Sequence, residues 1–140
     1  MADYFSHWLS MADHDLKLPR IFQVNWFRKD ASGNFLWPGF GENIRALAWI
    51  VARLEGTAAG LASPIGTIPG PDELVLDGLS ITQANLEELF EIDFEAWLIE
   101  VQSTMEFFAS FGEKLPAQLE LELLQLEARL REYQSASIRG

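Results

Sequence analysis

Aromatic side chains crowd one stretch of the chain: Phe22, Trp26, Phe27, Phe35, Trp37 and Phe40 fall within nineteen positions. Their spacing follows neither the three-and-four recurrence of an amphipathic helix nor a sustained strand alternation. A short β-like run, Ile21 to Phe27, leads into the polar Arg28-Lys29-Asp30-Ala31-Ser32-Gly33, and then Phe35 and Trp37 run into Pro38-Gly39-Phe40-Gly41. Proline fixes φ and glycine permits φ > 0, so this last piece holds its backbone in a shape that helix and sheet do not allow. Three large rings on such a scaffold can make a slot for a flat heterocycle, each offset ring contact contributing about 0.5–1.5 kcal/mol beyond area burial. Asn43 follows at the start of a helical pattern, and its amide carries donors and an acceptor together, as the reading of a base edge requires. At this level two bland readings stand beside these. The rings can be ordinary core, since aromatics are mostly buried for packing, and Asn43 can simply cap its helix, which spacing alone favours. Trp26 and Trp37 alternate with or lie between the phenylalanines and read as core. Arg28 and Lys29 read as a solvated turn, with a role near phosphates as the alternative.

Few other groups in the sequence could do chemistry. It contains no GxxxxGK[ST], HExxH or GxSxG pattern and no run of carboxylates and histidines at metal-ligand spacing. His7 and His14 stand alone and read as structural or solvated. With no cysteine, thiolate nucleophiles, zinc–thiolate sites and disulfides are excluded, which permits a reducing compartment.

The aromatic stretch resembles the GTP-dependent phosphoenolpyruvate carboxykinases near their C-terminal end. The resemblance rests on NWFRKD and FLWPGFGEN (Asn25–Asn43), on Leu18-Pro19-Arg20-Ile21-Phe22 before them, on Tyr4-Phe5-Ser6-His7-Trp8-Leu9, and on Pro64-Ile65-Gly66 followed by Pro69, in that order. It runs from about Asp3 to the last helix. Gln23 departs from it, standing where relatives often carry His. The resemblance implies that Phe27, Phe35 and Phe40 enclose a guanine base and that Asn43 reads its polar edge. It implies a parent reaction of oxaloacetate plus GTP to phosphoenolpyruvate, carbon dioxide and GDP, with GTP/GDP as substrate and divalent metal, manganese together with magnesium-bound nucleotide. The family's phosphate-binding loop, metal ligands, cysteine-containing mobile loop and substrate arginines precede this segment, and none has a counterpart here. The expectation is a single C-terminal fragment, residues 1–140, with the guanine-binding segment at 22–45 and a helical C-terminal part at 82–135. Alone it is expected to be inactive, because phosphoryl transfer depends on positioning and charge stabilisation that the absent groups supply.

The elements that position these residues are also legible. Asp3 is placed to cap a short helix carrying Tyr4, Phe5, Trp8 and Leu9 and ending before Leu18-Pro19. Ile21 to Phe27 reads as a strand. From Glu42 a helix is expected, with Ile44, Leu47, Ala48, Val51 and Leu54 on one face and Gly56 as its stop. Thr57 to Ser63 reads as a flexible surface connection. Ile65–Ile68 and Leu74–Leu76 read as short strands around the turn Pro69-Gly70-Pro71-Asp72. Thr82 caps a helix through Phe90, and Asp93 caps another with a stripe of Phe94, Trp97, Leu98, Val101, Met105 and Phe108, ended by Gly112. Pro116 opens a last helix with Leu119, Leu123, Leu126, Leu130 and Tyr133 at four-and-three spacing. That stripe needs a partner helix, and it is too short for a free coiled coil. The fold class is α+β: a small mixed sheet of short strands packed against four or more helices, with a helical C-terminal half.

A chain of 140 residues with 49% apolar and 12% aromatic content can fold as one domain. Its net charge of −11 arises beyond Gly56, where four basic residues face fifteen acidic ones. A nucleic-acid surface is therefore not expected there, and an acidic helical face is ordinarily a solvated one. The start lacks a signal-peptide pattern and no stretch approaches a membrane span, so a soluble, cytoplasmic protein is expected. The parent is expected to be a monomer, with the rest of its chain as partner to this part, while the excised part exposes surface favouring self-association. The competing function class is an acidic helical interaction module whose aromatic loop docks a proline-rich or helical partner.

Overall fold

The computed structural model describes residues 1–13, 17–70 and 72–137. The expectations placed on His14 and Pro71 lie outside the described residues. The chain forms two compact units, one from Met1–Pro19 with Ile92–Gly140 and one from Arg20–Glu91.

The first unit is helical. Helix α1 spans Ala2–Ser10 and continues into a 3-10 turn, Met11–Asp13. Asp3 does not cap it: Met1 holds the cap position, and Asp3 lies in the first turn, where its charge complements the helix dipole. The same unit holds α4, Phe94–Ala109, and α5, Ala117–Ser137. Asp93 caps α4 as expected, its side chain accepting from the Ala96 N–H at 3.0 Å. The stop is Ser110 rather than Gly112, which sits at φ 55 in the following 3-10 turn. The two helices are antiparallel neighbours, since Phe94 at the start of α4 meets Tyr133 near the end of α5 with ring centroids 5.6 Å apart. Val101, Leu123 and Leu130 are buried along this pair, so the two predicted stripes do meet. Phe111 closes the end of α4, edge-on to Phe107 at 5.0 Å and to Phe5 of α1 at 5.9 Å.

The second unit carries the aromatic stretch, helix α2 (Asn43–Glu55), the strands β1 (Leu61–Ser63) and β2 (Gly66–Ile68), and helix α3 (Gln83–Phe90). Gly56 ends α2 in the left-handed region as predicted, φ 76 and ψ 15. Thr82 caps α3, accepting from the Asn85 N–H. The α+β class stands, with a two-stranded antiparallel sheet as its β component.

Three strand expectations need correction. Ile21–Phe27 is not a strand. The Asn25 side chain accepts from the Phe27 N–H at 3.0 Å, and this local bond takes the donor that a ladder would use. Leu74–Leu76 is irregular because Arg45 takes up neighbouring carbonyls, donating to those of Val75 and Asp77. Conversely, residues 61–63 pair with 66–68, Leu61 opposite Ile68 and Ser63 opposite Gly66, across the turn at Pro64 and Ile65. Leu61-Ala62-Ser63, with no β-branched or aromatic residue, gave that strand no signature.

Candidate functional site

The aromatic stretch is shaped by a tight reversal. Lys29 and Phe35 form an isolated antiparallel bridge, the Leu36 N–H donates to the Arg28 carbonyl at 2.9 Å, and the Asp30 N–H donates to that of Asn34 at 2.9 Å. Asp30 organises the loop between. Its carboxylate accepts from the Ser32 and Asn34 N–H groups and from the Asn34 side-chain amide, and these bonds hold its pKa below the ordinary value. Gly33 takes φ 86 at the tip. The reversal brings Phe27 and Phe35 together, centroids 6.2 Å apart and inclined at 63°. Lys29 lies over the Phe35 ring at 4.8 Å, a cation–π contact on the face its pairing dictates.

Phe40 and Asn43 belong to the next feature. Gly39, at φ 117, opens a 3-10 turn over Phe40–Glu42, and Asn43 is both the end of that turn and the first residue of α2. The Asn43 N–H donates to the Phe40 carbonyl. A 3-10 turn has three residues per turn, so side chains at i and i+3 eclipse, and Phe40 and Asn43 share one side. The Phe40 ring is 91% exposed. Among the described residues it meets no other ring, so the structure forms two pairs, Phe27 with Phe35 and Phe40 with Asn43, without a ring contact between them.

Asn43 does not cap α2. Its side-chain oxygen instead accepts from the Trp37 indole N–H at 2.9 Å. Trp37 is buried, and its ring lies 6.4 Å from half-buried Trp26. Trp37 is therefore core, as predicted, and Trp26 packs on it half-buried, while the three phenylalanines interleaved with them stay largely in solvent: Phe27 is 73% and Phe35 55% exposed. The contrast leaves three large rings open to solvent on a well-bonded backbone.

Sequence reasoning missed several supports. Arg28 is no solvated turn residue: its guanidinium donates to the carbonyls of Leu89 (3.0 Å) and Glu91 (2.6 Å), closing the C-terminal end of α3. Arg45 pairs with Glu42 at 2.6 Å while holding the Val75 and Asp77 carbonyls. Glu73 accepts from the Gly60 and Gly70 N–H groups and from the Trp49 indole, each at 2.8–2.9 Å at its shortest. Apart from the local Glu42–Arg45 and Gly70–Glu73 contacts, these partners lie thirteen to sixty-three positions away and have no local sequence signal. The Trp37–Asn43 bond spans only six residues and could have been suspected from a donor-only indole beside an amide.

Among the described residues no three His, Asp or Glu side chains converge as a cation site, so the residues present do not fit a divalent metal. No helix of the described residues is long and apolar enough to cross a membrane.

The chain is a two-unit α+β structure with an open aromatic reversal leading into a helix start, and comparison with known proteins gives it a family. The model of the phosphoenolpyruvate carboxykinase C-terminal P-loop domain matches residues 1–129. The chain belongs to the GTP-dependent phosphoenolpyruvate carboxykinase family. It is 46% identical over 134 residues to the phosphoenolpyruvate carboxykinase [GTP] of Chlamydia pneumoniae, covering 94% of this chain and 22% of that one. It is 47% identical over 131 residues to that of Paenarthrobacter aurescens, covering 92% and 22%. Against that of Neocallimastix frontalis it is 48% identical over 135 residues, covering 94% and 22%. The chain thus spans about a fifth of the length of these relatives.

Proposed function

We propose that this chain is the guanine-recognising, C-terminal part of a GTP-dependent phosphoenolpyruvate carboxykinase. In the parent reaction oxaloacetate and GTP give phosphoenolpyruvate, carbon dioxide and GDP, a cytoplasmic lyase step of gluconeogenesis or anaplerosis. Residues 1–140 act as one C-terminal segment, with base recognition at 22–45 and the helical part at 82–135. Phe27, Phe35 and Phe40 stack on the base and Asn43 reads its edge. One observation carries this reading: three phenylalanines in the family-matched stretch are left 55–91% exposed beside a buried Trp37 and a half-buried Trp26. Manganese and magnesium belong to the parent, with their ligands outside this segment.

The remaining length of the parent chain is the natural partner of this part, and in its absence exposed apolar surface favours self-association. Without phosphate-gripping groups, the 140-residue chain alone does not turn over oxaloacetate and GTP in the presence of manganese. Turnover by contaminant-free chain would overturn that division of labour. Competition between guanine nucleotides and proline-rich or helical peptides tests base recognition itself. The nucleotide-binding reading requires guanine selectivity, and displacement by peptide alone would favour a docking loop instead.

A further inference from the structure

We infer that Trp37 is a positioning residue that locks the Asn43 amide in one orientation, so that the slot presents an N–H donor to the base and thereby selects 6-oxopurines over 6-aminopurines. This rests on the proposed base-binding role of Asn43 and deepens it. An indole N–H can only donate, so the amide atom facing Trp37 at 2.9 Å must be the oxygen. The flip of the amide is thereby fixed, and Trp37 cannot yield easily, because its ring is buried against Trp26 at 6.4 Å. The amide nitrogen consequently points away from the indole. Among the described residues it has no protein acceptor, and no buried side-chain nitrogen there lacks one, so this donor is open to solvent. Asn43 shares a side of the 3-10 turn with Phe40, the most exposed of the three rings.

A donor held in this way can bond the 6-oxygen of guanine or hypoxanthine. Against adenine it meets a 6-amino group, donor to donor, and an amide free to rotate would simply flip its oxygen round. The locked flip is what makes the discrimination hold, since selectivity by a hydrogen-bonding site comes from the unpaired groups that the wrong ligand leaves behind.

The test is calorimetric titration of the 140-residue chain with GDP and ADP, comparing wild type, Trp37→Phe and Asn43→Asp. Trp37→Phe keeps an aromatic ring in the core but removes the N–H. The GDP-to-ADP affinity ratio should fall about tenfold, with ADP gaining because the freed amide can turn its oxygen to the 6-amino group, while stacking on the phenylalanines tolerates either base. A purely structural role would weaken both nucleotides alike, so the GDP-to-ADP ratio is the diagnostic readout. Asn43→Asp leaves an acceptor for the indole and replaces the donor by a second acceptor, and should invert the preference towards ADP. Because it leaves Trp37 untouched, it tests the donor even where Trp37→Phe folds poorly. Wild-type selectivity retained in Trp37→Phe would overturn the lock while leaving the base-binding reading intact, and undiminished GDP binding by Asn43→Asp would overturn the donor assignment. No preference for GDP in the wild type would overturn the base-binding reading and this inference with it.

Discussion

At the scale of single residues, Glu73 ties Trp49, Gly60 and Gly70 of the second unit together. Hydrogen bonds from the Gly70 N–H, the Gly60 N–H and the Trp49 indole favour its charged form and hold its pKa at about 2, against an ordinary value of 4.5. Gly60 leaves little latitude beside it: at φ +68, an added Cβ would lie 2.3 Å from the Thr67 methyl and 3.3 Å from the Ile68 carbonyl. A carboxylate whose folded pKa lies below its unfolded one contributes stability that is fully present above the unfolded value and is lost as pH falls towards the folded one. The thermal midpoint should therefore hold above about pH 5 and decline between 4.5 and about 2. Glu73→Gln should lower the midpoint at neutral pH and flatten the acid decline. A residual slope should remain, because Asp30 is shifted in the same direction. An acid profile in Glu73→Gln identical to that of wild type would show that Glu73 does not hold this junction. Glu73 was invisible in the sequence because its partners lie three to twenty-four positions away and two of them are backbone amides.

At the scale of elements, the helix pair α4–α5 makes the sharpest prediction. Leu130 is 0% exposed and Leu123 8%, whereas Leu126 is half-buried. Replacing Leu130 or Leu123 by Ala should destabilise by about 2–5 kcal/mol and Leu126→Ala by less, as measured by urea unfolding. Equal small effects at all three would make α5 peripheral. These helices were legible because their apolar spacing recurs over several turns and Asp93 and Thr82 sit where caps belong. Of the strands, β2 was read nearly in place as Ile65–Ile68, whereas β1 was not, because a three-residue strand carries too few positions for alternation to register. The Ile21–Phe27 run shows the converse error: its residues have strand propensity, but Asn25 binds the backbone locally. In the candidate site, the crowding of rings was legible from composition, but Phe27, Phe35 and Phe40 were set apart from the tryptophans by the family resemblance, since the residues alone favoured ordinary core. That Asn43 does not cap α2 became visible only with Trp37 donating to its side-chain oxygen.

At the scale of the whole molecule, the chain exposes 10503 Å². Two separate folded units sharing this chain's mass equally would together expose about 8,800 Å², so the excess does not depend on how the units are arranged. Part of it is the predicted apolar face of α2, where Ile44, Leu47, Val51 and Leu54 are 48–64% exposed and only Trp49 is buried. Such a face suits a chain spanning about 22% of its relatives' length. Sedimentation velocity should show concentration-dependent association that Leu47→Glu with Val51→Glu reduces without unfolding the protein. Association unchanged in that variant would place the contact elsewhere. The base slot is the central claim, and calorimetric titration of Phe40→Ala and Asn43→Ala with GDP and ADP tests it most directly. Phe40→Ala should weaken both nucleotides about equally, by about 1–3 kcal/mol if stacking is fully engaged, and Asn43→Ala should weaken GDP more than ADP. Binding of both nucleotides unaffected by Phe40→Ala, with equal losses in Asn43→Ala, would contradict it.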